Sequence, residues 1–356
     1  MRVAIVGFPY AGKTSLFTAI SGVPPEHLKA GEENLAAVHI PEPRLDLLER
    51  VFKPRKRTEA TMEFVDLPGS AEGDVEKAGL ERHLPTLRQA DGLLLIVRAF
   101  ESPSVPPHGG SVDAERDLRL LHDEMMLADL MIASNRVERI EKALAKVTKD
   151  RDQLKHELDL LLRCKTALEA EQPLRKLIDA GIDEKTLRSF GFLTLKPLVT
   201  VINVGEGQIG QPPPVRDGHA TETLSVCAAL EAELLRMEAA DRPEFMREYG
   251  ILALARDRVI RACFHTLDMI MMLTGGDAEV RAWALPRGTT ALDAAAKIHT
   301  DLARGFVKAE TVAWDDLRAA GSMRDAKSAN KVRLEPKGYV IQDGDVVLIK
   351  SSLAHG

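Results

Sequence analysis

Cysteine is scarce in this chain: Cys164, Cys227 and Cys263 are the only three in 356 residues, and none belongs to a CxxC pair. Their wide spacing excludes a disulfide scaffold and a cysteine-rich zinc site, and it fits a reducing compartment. No two histidines stand at a zinc-ligand spacing either. Long apolar runs are missing, so no segment is suited to span a bilayer. Met1–Val6 reads as a short buried strand rather than a signal peptide, and a soluble, cytoplasmic protein without a membrane partner is expected. Excess positive charge is missing too. With 48 Lys and Arg against 54 Asp and Glu, the net charge is -6. That removes a global attraction to nucleic acid, leaves room only for a local basic face, and makes DNA an unexpected partner.

What remains is an ordinary globular composition, 45% hydrophobic and 29% charged, at a length that calls for two or three domains. Up to about Phe100, short apolar runs alternate with helical patterns. Val3–Val6, Met62–Val65 and Leu93–Val97 read as strands buried on both faces, hence an α/β unit with a mostly parallel sheet. Past the loop Pro103–Gly110, glycine and proline vanish until Pro173. Within that stretch apolar residues stand three and four apart: Leu118, Leu121 and Met125, then Val137, Ile140, Leu144 and Val147, then Leu154, Leu158 and Leu161. This is one stripe on long helices, expected to pair antiparallel across a turn near Lys149–Asp152. Leu198–Ile202 resumes the sheet, which makes the helical pair an insertion. Beyond Gly275-Gly276 come strand Val280–Leu285, helix Ala291–Leu302, and strands Tyr339–Val340 and Val346–Lys350 around a hairpin at Asp343-Gly344. That pattern suits a small α+β domain.

Gly7-Phe8-Pro9-Tyr10-Ala11-Gly12-Lys13-Thr14 fits G-x4-G-K-[ST] between a strand and a helix, the arrangement of a phosphate-binding P-loop. Its glycines let backbone N–H groups from Tyr10 to Ser15 curl around phosphate oxygens, and the helix N-terminus adds a favourable dipole. Lys13 is expected at the β- and γ-phosphates and the Thr14 hydroxyl on Mg²⁺. Asp66-Leu67-Pro68-Gly69 follows a strand. There Asp66 is placed to hold Mg²⁺ and Gly69 to offer its N–H to the γ-phosphate, as in a nucleotide switch. Asn203-Val204-Gly205-Glu206 closes the resumed strand where a purine base is read. A guanine-specific site uses an Asp preceded by a Lys, whereas this chain has Val204 and the longer Glu206. Adenine is therefore the expected base, with Asn203 at purine N7 and the Val204 backbone at the adenine edge.

These residues, with Pro41–Asp46, Met62–Asp66, Val97–Phe100, Val226–Ala229, Val280–Trp283, Ile298–Asp301 and Gln342–Asp345, resemble the YchF family of Obg-related P-loop proteins, the Obg-like ATPases. The resemblance covers nearly the whole chain. It implies an Obg-type G domain at 1–111 and 190–266, an inserted helical coiled coil at 112–189, and a C-terminal TGS domain of β-grasp fold at 267–352. It also implies slow ATP hydrolysis with Mg²⁺, and association with ribosomes and rRNA. Cys227 and Ala228 fall in the family's base-supporting loop. His108 matches the histidine to which the family assigns water positioning, in place of the Gln that is missing after Gly69. His83, His265 and His299 read as packing or surface residues.

Two departures stand out. The family's switch-I threonine aligns with Ala30, and no Thr or Ser occurs from Gly22 to Arg57. The segment after Gly69, Ser70–Gly73, is shorter and less apolar than the family's run. The residues therefore leave open an ATP-regulated scaffold without significant hydrolysis, a GTPase, and a small-molecule kinase. The kinase expects an acceptor site and lid arginines, where this chain has a helical insertion. In the last domain Lys297, Arg304, Lys308, Arg324, Lys327, Lys331, Arg333 and Lys337 are candidates for an RNA-facing patch or a solvated surface.

Without the paired guanine contacts, ATP should bind more tightly than GTP by ~1–3 kcal/mol, about 5- to 150-fold. Titration of labelled ATP and GTP with Mg²⁺ checks this, and equal affinities would refute it.

Overall fold

The computed structural model describes residues 1–29, 31–68, 80–146, 150–179, 184–238, 240–251 and 253–353. The chain divides into two compact units, one of residues 1–37 and 63–263, the other of 38–62 and 264–356.

The first unit is built on a six-stranded sheet of β1 (Arg2–Val6), β2 (Asn34–His39), β4 (Thr61–Asp66), β5 (Gly92–Ala99), β6 (Leu198–Val204) and β7 (Glu222–Val226), in the order β2-β4-β1-β5-β6-β7. β1 pairs parallel with β4 and β5, β5 with β6, and β6 with β7. Unbroken apolar runs such as Leu93–Val97 are what a strand covered on both faces requires, and those five side chains are all buried. The parallel order puts the carboxyl ends of β1, β4, β5 and β6 on one edge, where α/β sheets bind their ligands. Helix α1 (Lys13–Ser21) leaves that edge directly after β1.

Helix α4 (Ala114–Leu144) is 31 residues long, about 46 Å at the standard rise. Its N-cap Asp113 accepts from the Arg116 N–H. Together with α5 (Arg151–Glu169) it forms the expected antiparallel pair. Arg136 forks onto Glu157 at 2.6 and 2.9 Å, and Arg151 donates to the Leu144 carbonyl, so rising numbers on one helix meet falling numbers on the other. The expected turn at Lys149–Asp152 lies partly outside the described residues, as does Val147.

The single apolar stripe needs correction, because it serves two cores. Leu118, Leu121 and Met125 pack with Leu93, Leu95 and Val97 of the sheet. Val137 and Ile140 pack instead with Leu161, Cys164 and Leu168 of α5. Period 3.6 specifies a buried face and is silent on what covers it. Between the two regions sits Asp129, fully buried. It accepts from the Leu193 and Thr194 backbone N–H groups at 2.7 and 2.8 Å and from the Thr194 hydroxyl at 2.7 Å. The carboxylate thus closes the base of the insertion, tying its outgoing helix to the turn that re-enters β6.

The second unit carries a six-stranded sheet of β3 (Lys56–Thr58), β8 (Met269–Gly275), β9 (Glu279–Pro286), β10 (Phe306–Ala313), β11 (Arg333–Glu335) and β12 (Asp345–Ser351), ordered β11-β10-β12-β8-β9-β3. β12 runs antiparallel to β10 and parallel to β8, and the helix Ala291–Ile298 packs into its core. The expected hairpin strand Tyr339–Val340 is reduced to one isolated bridge between Thr290 and Val340. Asp343-Gly344 still turns the chain, but Asp343 is engaged elsewhere: it accepts from the Met271 N–H at 2.8 Å and pairs with Arg44 at 2.8 Å. The first unit's P-loop sheet and this mixed C-terminal sheet bear out the α/β and α+β fold class.

Replacing Asp129 by Ala leaves three donors buried without an acceptor. The expected loss is about 3 kcal/mol of unfolding free energy, read from the urea midpoint at constant slope. A loss below about 1 kcal/mol would mean that water satisfies those groups.

Candidate nucleotide-binding site

The P-loop follows β1 because two positions tolerate no side chain. A Cβ on Gly7 would lie 2.4 Å from the Ile96 carbonyl oxygen of β5. Gly12, the N-cap of α1, has φ +99°, and a Cβ there would lie 2.3 Å from Asn203 Nδ2. The Ala11 N–H donates to the Phe8 carbonyl and the Leu16 N–H to that of Gly12, so the loop closes as a tight turn into the helix. Tyr10 takes φ +63° and is exposed, as are Thr14 and Ser15, while Ala11 and Lys13 are buried.

Three groups concentrate charge there. Lys13 folds back into its loop and donates to the Gly7 and Phe8 carbonyls at 2.8 and 3.2 Å. Burial pulls its pKa down to about 8, against the opposing pull of Asp66. Thr14 Oγ1 donates to Asp66 Oδ2 at 2.9 Å. Burial also pushes the Asp66 carboxyl up, with Thr14 and Lys13 restraining it. The second oxygen, Asp66 Oδ1, is buried and has no hydrogen-bond partner among the described residues. A hydroxyl and a carboxylate with an unsatisfied oxygen are the donors that Mg²⁺ takes from a protein when phosphates and water complete its shell. The residues present fit that ion. Among the described residues no cluster of three or more His, Cys, Asp or Glu side chains is arranged to hold a metal by itself.

On the base side, Asn203 is buried at the carboxyl end of β6. Its Nδ2 donates to the Ala11 carbonyl at 3.0 Å, and its Oδ1 accepts from the Ala228 N–H at 3.0 Å. The amide therefore joins the phosphate turn to the base-side loop. Val204, Cys227 and Ala228 are buried around it, and Glu206 stands exposed in the next turn. Burial raises the Cys227 thiol, with the Glu206 charge among the further causes. Gly69 and Ala30 lie outside the described residues, as does the segment Ser70–Gly73.

The structure brings His108 to the P-loop. Its ring lies flat on that of Phe8, centroids 3.9 Å apart and planes 3° from parallel. Two arginines hold the segment that carries it. Arg98, buried inside β5, donates to the Phe100, Val105 and Pro106 carbonyls at 3.0–3.1 Å. Arg116 donates to the His108 carbonyl at 2.6 Å and to Asp117 at 2.7 Å. Neither arginine is among the expected site residues. The signal for Arg98 was there, as a charge at the end of an apolar run. His83, expected as a packing or surface residue, is half-buried. Burial lowers its pKa, the Pro68 carbonyl opposes that shift, and the charges of Lys13 and Glu33 act on it, so it belongs to the surroundings of the site. The C-terminal basic patch is weaker than its sequence suggests. Lys327 pairs with Glu310, Lys331 with Asp316, Arg333 with Glu335, and Arg304 with Asp301.

Known proteins are similar to this chain in sequence and fold. A family model described as 50S ribosome-binding GTPase matches residues 2–152, and the YchF GTPase C-terminal model, described as a protein of unknown function, matches 269–352. The chain is 36% identical to the "Ribosome-binding ATPase YchF" of Bacillus subtilis, covering 98% of each. It is 32% identical to the "Obg-like ATPase 1" of Oryza sativa, covering 100% of this chain and 93% of that one. Among solved structures, the Schizosaccharomyces pombe YchF GTPase superposes with TM-score 0.82 at 25% identity, covering 98% and 97%. A GTP-binding protein of Pyrococcus horikoshii shares the fold at TM-score 0.58 and 18% identity.

Gly12→Ala meets both a positive φ and the Asn203 amide. It should lower nucleotide affinity at least tenfold and stability by about 2 kcal/mol. Nucleotide titration alongside thermal unfolding checks this, and affinity within twofold of the parent would dismiss the bridge as a requirement.

Proposed function

Because the chain belongs to the YchF family, we propose that it is an ATP-binding, slowly hydrolysing P-loop switch that associates with ribosomes in a nucleotide-dependent way. The observation that carries the reading is the Lys13–Asp66–Thr14 group at the head of α1, its lysine and carboxylate buried, an arrangement with little purpose unless a phosphate and a divalent cation complete it. P-loop NTPase activity as a class follows from the family. The preference for ATP, the low rate, the residue roles and the ribosome are parts of the proposal.

In this reading the backbone N–H groups from Tyr10 to Ser15 bind the phosphates, and Lys13 turns its ammonium to the β- and γ-phosphates. Phosphate charge would hold that ammonium protonated against the burial that lowers it. Thr14 and Asp66 would hold Mg²⁺, which supplies charge neutralisation on the phosphates. Asn203, Val204, Glu206, Cys227 and Ala228 frame the base. His108, half-buried on Phe8, orients a water for attack on the γ-phosphorus while Arg98 and Arg116 keep its loop in place. The new bond is water oxygen to phosphorus, and the bond to the β–γ bridging oxygen breaks. The water proton leaves with the phosphate. With no Gln in that role, and Ala30 where relatives have a hydroxyl, the rate is low.

The ribosome enters from the relatives, which are named for binding it. The ion pairs on the C-terminal basic residues favour shape recognition of ribosome and rRNA over charge alone. No helix among the described residues is long and apolar enough to cross a membrane, and a cytoplasmic location is proposed with the partner. The division into G domain, helical arm and TGS domain at 1–111 with 190–266, 112–189 and 267–352 is proposed by function.

Single-turnover ATP hydrolysis, with and without ribosomes and with pelleting of the same samples, tests the whole. Slow release of phosphate is expected, with more protein pelleted in an ATP analogue than in ADP. His108→Ala should slow the step at least tenfold with ATP affinity held within twofold. An absence of measurable hydrolysis would favour the scaffold, and pelleting indifferent to nucleotide would remove the switch.

A further inference from the structure

A cavity of about 200 Å³ opens at the far end of the same sheet, by the amino ends of β5 and β6, where Leu93 and Leu198 form part of its wall. From Leu198 to Asn203 the strand runs about 17 Å, so this cavity and the purine-side amide share one strand at opposite ends. Its floor is apolar, with Leu193 and the two thioethers of Met125 and Met126 from α4 beside the two leucines. Beside Pro173, Thr194 and Gly218, the rest of its lining is cationic or imidazole: Arg175, Lys176, Lys196, His122 and His219. Among the described residues no Asp or Glu lines it.

The carboxylate that holds the two histidines is already committed. Asp217 is buried, sits 3.0 Å from His122 Nε2 through both oxygens, and accepts from the Thr200 hydroxyl at 2.6 Å and the His219 N–H at 2.8 Å. It is therefore engaged with His122, while the charges of Asp91 and Asp129 act on Lys196 from outside the lining. Lys196 Nζ donates to the Arg88 and Ala90 carbonyls at 2.9 and 2.5 Å. An ammonium has three donors, so one is left over. Lys176 stands exposed at the rim.

An apolar floor with convergent polar groups at the mouth is the general form of a small-molecule site, here below the roughly 300–1,000 Å³ of drug-sized pockets. Thioethers favour aromatic rings over aliphatic chains, and the lysines call for an anion. We propose that this cavity binds a small aromatic carboxylate, its ring between Leu93, Leu198, Met125 and Met126 and its carboxylate toward Lys176 and Lys196. The site is separate from the nucleotide site and does not depend on hydrolysis.

The test uses the full chain with 2-naphthoate and its uncharged counterpart 2-naphthamide, titrated by calorimetry with and without a saturating ATP analogue. Saturable 1:1 binding of 2-naphthoate is expected, unaffected by the analogue and at least fivefold tighter than the amide, with the Met125 and Met126 methyl resonances shifting on binding. Met126→Trp should fill the cavity and abolish binding, and Lys176→Glu should weaken it at least threefold, both with the parent's ATP affinity. If the tryptophan variant does not fold, Met126→Phe, which fills less, should weaken binding in its place. Equal binding of the amide, displacement by the nucleotide, binding retained after the cavity is filled, or no saturable binding at all would each overturn the proposal.

Discussion

One buried amide holds the nucleotide unit's working edge together. Asn203 stands at the end of β6 and spans from the Ala11 carbonyl of the phosphate turn to the Ala228 N–H of the base-side loop. A buried amide left half-satisfied costs more than it gains, so these loops depend on each other. Gly12 has no side chain because Asn203 Nδ2 occupies that space, and its positive φ starts α1 with Lys13 and Thr14 in the first turn. The strand that carries the amide is reached only after the helical insertion has returned. Asp129 secures that return by gripping the Leu193–Thr194 turn.

The same edge holds charges under tension. Burial drives Lys13 toward its neutral form and Asp66 toward its protonated form, and each restrains the other. Asp66 keeps one buried oxygen without a partner among the described residues. Such a site is improved by whatever brings negative charge to Lys13 and positive charge to Asp66. That is the physical content of a Mg²⁺-nucleotide site, and it is the low local dielectric that gives it force. His108 joins the edge by a different means, a flat ring stack on Phe8 that needs no charge.

The second unit has its own keystone. Arg44 forks onto Glu42 at 2.6 and 2.7 Å and onto Asp343 at 2.8 Å, and the Trp314 indole N–H donates to the Arg44 carbonyl. Burial pushes the Asp343 carboxyl up, but its bonds to Arg44 and to the Met271 N–H win and hold it below the usual range. Two short motifs nearly three hundred residues apart, Pro41–Asp46 and Gln342–Asp345, are in this way one structural feature. β3 joins the same sheet beside β9, with Arg57 opposite Val280. Residues 38–62 thus belong with the C-terminal sheet although the chain on either side of them belongs to the nucleotide unit.

The P-loop, the buried strands and the two long helices were legible in the sequence, because each is written in neighbouring residues: a glycine spacing, an unbroken apolar run, a 3.6-residue period. The candidate site was legible in the same sense, with Lys13 and Thr14 opening the helix after β1 and Asp66 and Asn203 at strand ends. What the sequence could not express was partnership at a distance. The period on α4 looked the same for Leu121, which packs on the sheet, and for Ile140, which packs on α5. Nothing local marked Lys56–Thr58 as the edge of a sheet more than two hundred residues later, or Tyr339–Val340 as a lone bridge. Arg98 looked like the end of a strand and proved to be the clasp of the His108 loop. Backbone geometry and burial period are properties of a few residues and so were determined by the sequence directly. Which buried donor meets which acceptor depends on how the whole chain closes, and only the tertiary structure decided it.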